Sequence, residues 1–221
     1  FNNRIYGLTK GQYSPTSEYG KRTKSSPVGS VDYPFNAISV AIGAGATFVA
    51  RSIDVFQAHL KETLRAAAAH PGTAFVEIYQ NCNIFNDRAF ADLTEKDVRD
   101  DALVHLETGQ PLVFGKEKDR GVRLRGTELE VVRFADGFGP DDCLVWDETR
   151  SNPAIAFMVA QMAAPECPTP IGVLRRVEKG TFEAGMVGQI ERETSRRGVG
   201  NLEQLLHSGE LWTVHEDGSV S

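Results

Sequence analysis

Asn2 and Asn3 stand just ahead of the apolar Ile5, and the chain then enters a turn that contains Gly7, Thr9, Gly11 and Gln12. Asparagine side-chain carbonyls at the end of a strand are hard oxygen donors of the kind a divalent cation takes, and a Gly- and Thr-rich turn can bring backbone amides close to a phosphate. Together they form a cofactor-site pattern, in which one cation is shared between protein oxygens and a phosphorylated ligand. On residue type alone, the same asparagines also suit a turn that simply ends a strand.

A second polar loop, Asn81-Cys82-Asn83-Ile84-Phe85-Asn86-Asp87, carries a lone cysteine. A single cysteine is more often a small buried hydrophobe than a ligand, and the polar loop is what sets Cys82 apart. The chain has three cysteines, Cys82, Cys143 and Cys167, too widely spaced for a disulfide framework and suited to a reducing compartment. Cys143 and Cys167 read as structural thiols. The histidines at 59, 70, 105, 207 and 215 share no motif spacing, and no P-loop or zinc-type pattern occurs.

Both loops need strands to aim them. A strand signal starts at the first residue, which is not Met, and residues 7–35, rich in Gly, Ser, Thr, Pro and Tyr, read as a long ordered loop. Asn36 is placed to cap a helix reaching Ala44, and residues 46–51 form a short buried strand. Asp54 is expected to cap a second helix, with Val55, Leu60 and Leu64 on its apolar side and Pro71-Gly72 as its stop. Residues 73–80 are a third strand. This βαβαβ order predicts a parallel sheet covered by helices, with ligands outside the carboxyl ends of its strands.

Beyond residue 93 the sequence is more charged and less regular. Short strands are expected at 112–114, 122–125 and 129–134, and helices at 153–163 (capped by Asn152), 186–197 and 202–207, with 167–170 rigid and extended. The domain division read from this shift is 1–92 and 93–221. The run from Glu95 to Asp101 and the basic Lys21-Arg22-Thr23-Lys24 read as solvated segments.

The chain has 221 residues, 41% of them hydrophobic, which is enough for a substantial core. A net charge of −6 argues against non-specific nucleic-acid binding. No apolar run approaches the roughly 20 residues of a membrane span, so no membrane partner is expected and the location reads as cytoplasmic.

The run Asn2 to Gln12 with Ser14-Pro15-Thr16-Ser17, followed by Gln80 to Asp87, closely resembles the β subunit of 2-oxoacid:ferredoxin oxidoreductases, on the 2-oxoglutarate (KorB-type) branch. The resemblance is sharpest over residues 1–92. It implies an α/β thiamine-diphosphate-binding fold, of which the chain holds the C-terminal part, with a C-terminal extension of short strands and helices that contacts another subunit. In that family a Gly-Asp-Gly-Asp motif and a later Asn-Asn pair hold the Mg²⁺ that grips thiamine diphosphate. Asn3 matches the side-chain ligand and Ile5 the backbone-carbonyl ligand, while the Gly-Asp-Gly half would precede Phe1.

By the same resemblance Lys10 attracts the 2-oxoacid carboxylate and Leu8 shapes the space for its side chain. Gly7, Thr9 and Gln12 order the loop or touch the cofactor, and Cys82 is a ligand to a [4Fe–4S] cluster, with Asn81 and Asn83 as donors near its sulfur. The implied reaction is oxidative decarboxylation of 2-oxoglutarate with coenzyme A to succinyl-CoA and CO₂, with electrons passed to ferredoxin and an α subunit completing the site. Two alternatives stand beside it: the same chemistry on pyruvate or a branched-chain 2-oxoacid, and a non-catalytic remnant or interaction module.

Overall fold

A computed structural model describes residues 1–221. Its centre is β1 (Phe48–Ile53), in which all six residues are buried, including Arg51 and Ser52. A strand buried on both faces needs cover on both, and helices and a second sheet supply it. β2 (Ala74–Tyr79) pairs parallel with β1, in register from Phe48 opposite Ala74 to Ile53 opposite Tyr79. Outside β2, Asn2 forms a parallel bridge to Tyr79. These pairings are the parallel sheet that the strand–helix alternation predicts.

The rest of this sheet comes from the distal half of the chain. β7 (Thr169–Arg176) runs antiparallel to β1, and β3 (Leu103–Leu106) runs parallel to β7, giving the order β2-β1-β7-β3 and a mixed sheet. Pro170 lies before the residues of β7 that pair with β1, so its missing N–H costs no ladder bond on that side. β4 (Val113–Phe114), β5 (Arg120–Arg125) and β6 (Glu128–Arg133) form a separate antiparallel sheet. One core joins the two sheets. Ile38, Val49, Val104, Leu112, Val122 and Trp146 belong to it, and Trp146 satisfies its indole N–H on the Val173 carbonyl at 3.0 Å.

The helices start where their caps allow. α1 (Ala37–Gly43) begins after Asn36, whose side chain accepts from the Ser39 amide at 3.0 Å. Ala46 donates to the Ala41 carbonyl and so still closes that helix, which shifts β1 two residues beyond its expected start. α2 (Gln57–Ala69) is capped at Phe56 without a side-chain bond, not by Asp54, whose own amide is taken by the Tyr79 carbonyl. Its expected apolar side is largely open: Val55 and Leu64 are exposed, and only Thr63 within the helix is buried.

α3 (Ala91–Thr94) and α4 (Arg99–Ala102) are single turns, and of the acidic run only its end is helical. α5 (Ala154–Ala160) has Pro153 at its cap position, although Asn152 still accepts from the Ala154 amide at 2.9 Å.

Two compact units emerge, Phe1–Lys179 and Gly180–Ser221, a division that does not fall at 92/93 because β3 and β7 are built into the sheet of the first unit. The second unit holds α6 (Phe182–Arg197), which starts early because Thr181 caps it, and α7 (Leu202–Leu206), capped by Asn201. None of its residues is buried. No helix is long and apolar enough to cross a membrane.

Candidate functional site

The segment carrying Asn3 and Ile5 lies beside β2 as a short extra rung. The Asn2 amide donates to the Ile78 carbonyl at 2.8 Å, and the Asn2 carbonyl accepts from the Gln80 amide at 3.0 Å. The segment therefore leaves the sheet at the same end as the Cys82 loop.

The two asparagines have separate duties. Asn2 is used up inside the protein: its Nδ2 donates to Glu77 Oε1 at 2.9 Å, and its Oδ1 accepts from the Arg4 amide at 3.0 Å and from the Thr16 hydroxyl at 2.7 Å. Asn3 donates through Nδ2 to the Gln80 carbonyl at 2.8 Å, and its Oδ1 accepts no protein hydrogen bond. The Ile5 carbonyl likewise accepts none, although Ile5 itself is buried. Two hard oxygens without donors fit a Mg²⁺ ion that takes the rest of its shell from phosphate and water.

After Ile5 the chain closes on itself. The Tyr6 amide donates to the Gln12 carbonyl at 2.9 Å, the Gly11 amide to the Tyr6 carbonyl at 2.8 Å, and the Thr9 hydroxyl to Gln12 Oε1 at 2.6 Å. Arg4 and Lys10 hold left-handed φ angles of 51° and 80°, a conformation that costs a non-glycine residue about 1 kcal/mol and persists only where the surroundings enforce it. Gly11, at φ 95°, is required by both its backbone and its neighbour: a β-carbon there would come 2.8 Å from a ring carbon of Phe85. At Gly7 a β-carbon would sit 3.5 Å from the Cys82 sulfur, so the thiol abuts this turn.

The tip of the turn faces outward. Leu8 is 97% exposed, and Thr9, Lys10 and Gln12 are exposed as well. An almost bare leucine on a hydrogen-bonded turn is suited to contact with a ligand or another chain rather than to this core.

Four residues given no site role from sequence, Asn86, Lys21, Arg51 and Glu77, hold the site together. Asn86, buried within the Cys82 loop, donates to the Asn3 carbonyl at 2.9 Å and accepts from the Lys21 ammonium. Lys21 is thus a clasp rather than a solvated residue, while Arg22 and Lys24 are exposed. Arg51 and Glu77 form a buried ion pair at 2.8 Å, and the other Glu77 oxygen holds Asn2. The Arg51 guanidinium lies 5.1 Å from the centre of the Tyr79 ring, Tyr79 stacks on Phe90 at 4.4 Å, and Arg4 covers Phe90. Burial pushes the Tyr79 phenol above its ordinary range, with the Arg51 charge acting against it. A charged residue in a strand reads as a solvent-facing position, which is why this pair left no signal; an asparagine in a polar loop leaves only a weak one.

Cys82 is a free, half-buried thiol. No group of three or more His, Cys, Asp or Glu side chains able to hold a metal is present, so Cys82 fits a cluster only as one thiolate among ligands from elsewhere. Asn81 donates to Asp87 at 2.8 Å, which engages one of its two side-chain N–H groups. Burial raises the Cys143 and Cys167 thiols above their ordinary range, and Cys143 donates to the Gly139 carbonyl at 3.5 Å. A raised thiol holds back the thiolate form, which suits both sulfurs to packing.

Residues 1–78, which carry this turn and strand, match the family model described as "Thiamine pyrophosphate enzyme, C-terminal TPP binding domain". The chain is 44% identical to 2-oxoglutarate oxidoreductase subunit KorB of Mycobacterium tuberculosis over 97% of its own length and 58% of that protein. Over 39% of its length, and 27% of the relative, it is 48% identical to the β subunit of 2-oxoacid:ferredoxin oxidoreductase 1 of Aeropyrum pernix. The fold matches, with a TM-score of 0.63 at 22% identity, a solved 2-oxoglutarate:ferredoxin oxidoreductase from Magnetococcus marinus with 2-oxoglutarate, coenzyme A and succinyl-CoA bound, across 94% of this chain and 56% of that one. Over nearly its whole length the chain is thus similar to a KorB-type β subunit of the 2-oxoacid:ferredoxin oxidoreductases. It spans 58% of the length of the Mycobacterium relative.

Proposed function

We propose that the chain serves as the thiamine-diphosphate-binding part of a cytoplasmic 2-oxoglutarate:ferredoxin oxidoreductase, converting 2-oxoglutarate and coenzyme A to succinyl-CoA and CO₂ with ferredoxin as electron acceptor. The observation that carries this reading is the pair of free oxygens at Asn3 and Ile5, held beside a closed Gly7–Gln12 turn and the Cys82 thiol. Thiamine diphosphate, when bound, supplies the nucleophilic carbon and electron sink that decarboxylation of a 2-oxoacid needs. Asn3 and the Ile5 carbonyl would hold its Mg²⁺, while Gly7, Thr9 and Gln12 keep the turn in shape. Lys10 would attract the substrate carboxylate as a point charge, and Leu8 would pack on the rest of the acid.

Cys82 would give one thiolate to a [4Fe–4S] cluster. An α subunit would cover the open turn. The second unit, with Phe182, Met186 and Ile190 exposed along α6, offers an apolar stripe for subunit contact within the 93–221 extension.

The test is anaerobic viologen reduction by the assembled enzyme with coenzyme A and a series of 2-oxoacids. Highest kcat/KM on 2-oxoglutarate supports the reading. Preference for pyruvate or a branched-chain acid moves the substrate assignment, and no turnover on any acid leaves the remnant reading. Replacing Lys10 with Ala should raise KM for 2-oxoglutarate about tenfold or more, the worth of one charge-assisted contact, with thiamine diphosphate binding kept. An unchanged KM would show a lysine that merely faces solvent.

A further inference from the structure

We infer a second ligand site, for a phosphate-bearing molecule with an apolar or planar group, in a cavity of about 560 Å³ between the first turn of α2, strand β3 and the turn Gly115–Lys118. None of these elements takes part in the candidate cofactor site. A separate cavity of about 430 Å³ lies against Asn2, Arg51 and Tyr79.

One wall is apolar, built from Phe56, Leu103 and Phe114. The lining is also cationic, with Arg99, Lys116 and Lys118 against a single lining carboxylate, Asp100, in a chain whose net charge is −6. Arg99 lies 3.6 Å from Asp100, but neither lysine has an ion-pair partner. Their positions are set by backbone instead. The Gly115 amide donates to the Asp100 carbonyl at 2.8 Å, the Lys116 amide to Asp101 Oδ1 at 3.2 Å, and the Lys118 amide to the Gly115 carbonyl at 3.0 Å. Lys118 holds a left-handed φ of 53°, a strain that anchored turns retain at ligand sites. Two lysines on a backbone-strapped turn, neither in an ion pair although Asp101 lies at the same turn, make this part of the lining anion-attracting.

Two imidazoles complete the lining. His59 and His105 meet edge to face at 5.7 Å, and the Ser52 hydroxyl lies 2.8 Å from His59 Nδ1, leaving Nε2 available to a ligand. Desolvation first, and His105 second, holds His59 below the ordinary histidine range, so an entering anion would restore its basicity. The first turn of α2 adds amides with no side-chain cap. A divalent cation is disfavoured, since the lining carries one carboxylate and three positive charges. A cavity that combines apolar surface with a few convergent polar groups and perturbed histidines has the usual constitution of a small-molecule site.

Phosphates of this kind could be those of the coenzyme A proposed above or those of a free nucleotide, and the experiment separates them. The assembled enzyme, its Lys116→Gln/Lys118→Gln variant and a milder Lys116→Gln variant are titrated calorimetrically with ADP and with inorganic pyrophosphate, a readout that needs no turnover. We expect ADP to bind the unaltered enzyme, more tightly than pyrophosphate, and to bind the double variant about tenfold more weakly or worse, with the single variant between them. A higher KM for coenzyme A in the variants, with KM for the 2-oxoacid unchanged, assigns the phosphates to the co-substrate. An unchanged KM for coenzyme A alongside weaker ADP binding assigns them to a free nucleotide. If the unaltered enzyme binds neither probe, or the correctly assembled variants bind both as well as it does, the site is refuted.

Discussion

Replacing Glu77 with Gln tests whether the buried ion pair supports the cofactor strand. Arg51 Nε and Glu77 Oε2 lie 2.8 Å apart, with their side chains 5% and 6% exposed, so solvent screens neither charge. Gln keeps the shape and leaves one carbonyl oxygen, which cannot serve both Asn2 and Arg51 as the two carboxylate oxygens do. The guanidinium then stays buried without a counter-charge. Removing one partner of such a pair costs ~3–5 kcal/mol. At ~2 °C per kcal/mol for a domain of this size, even the lower figure lowers the midpoint by ~6 °C.

Loosening Asn2 also frees the Arg4 amide and Thr16, so the oxygens of Asn3 and Ile5 lose their alignment. Thermal unfolding of the assembled enzyme by scanning fluorimetry, with and without Mg²⁺ and thiamine diphosphate, reads both effects. The variant should melt at least ~6 °C lower and should gain less from the added cofactor. A drop below ~2 °C with full cofactor stabilisation would refute the argument. The double variant Arg51→Met/Glu77→Leu, with no stranded charge, should recover much of the midpoint but not the cofactor response.

The remaining expectations concern the turn and its neighbours. Asn3→Ala should weaken Mg²⁺-dependent thiamine diphosphate binding about tenfold or more, measured by quenching of protein fluorescence, with the midpoint of the cofactor-free protein little changed. Gly11→Ala should be destabilised by about 1–2 kcal/mol from its φ of 95° alone, with the Phe85 clash added. Phe85→Ala in the same protein should relieve only the clash, a difference visible in paired denaturation curves. Cys82→Ala in the assembled enzyme should lower iron content and cluster absorbance, and an unchanged spectrum would remove Cys82 from the ligand set.

Much of this protein was readable along the chain because the information is local. Asn36 caps α1 through its own side chain, Thr73 to Gln80 contains β2, and the uninterrupted run from Asn2 to Gln12 carries both the family resemblance and the turn. Local cues misplaced Asp54, because its amide is claimed by Tyr79 in another element. They also ended the domain near residue 92, because nothing between 93 and 176 announces that β3 and β7 will complete the sheet.

What the sequence alone determined is chemical: hard oxygens at Asn3 and Ile5, a glycine-bearing turn, and a cysteine in a polar loop. What only the tertiary structure decided is which of those atoms are free. Asn2 and Asn3 are identical in composition, and the difference between them comes from Glu77, Arg4 and Thr16, which saturate one carboxamide, while Gln80 occupies only the amide side of the other. A hydrogen-bond acceptor brought from seventy-five positions along the chain leaves no periodicity or spacing to read, and it is settled only when the strands pack.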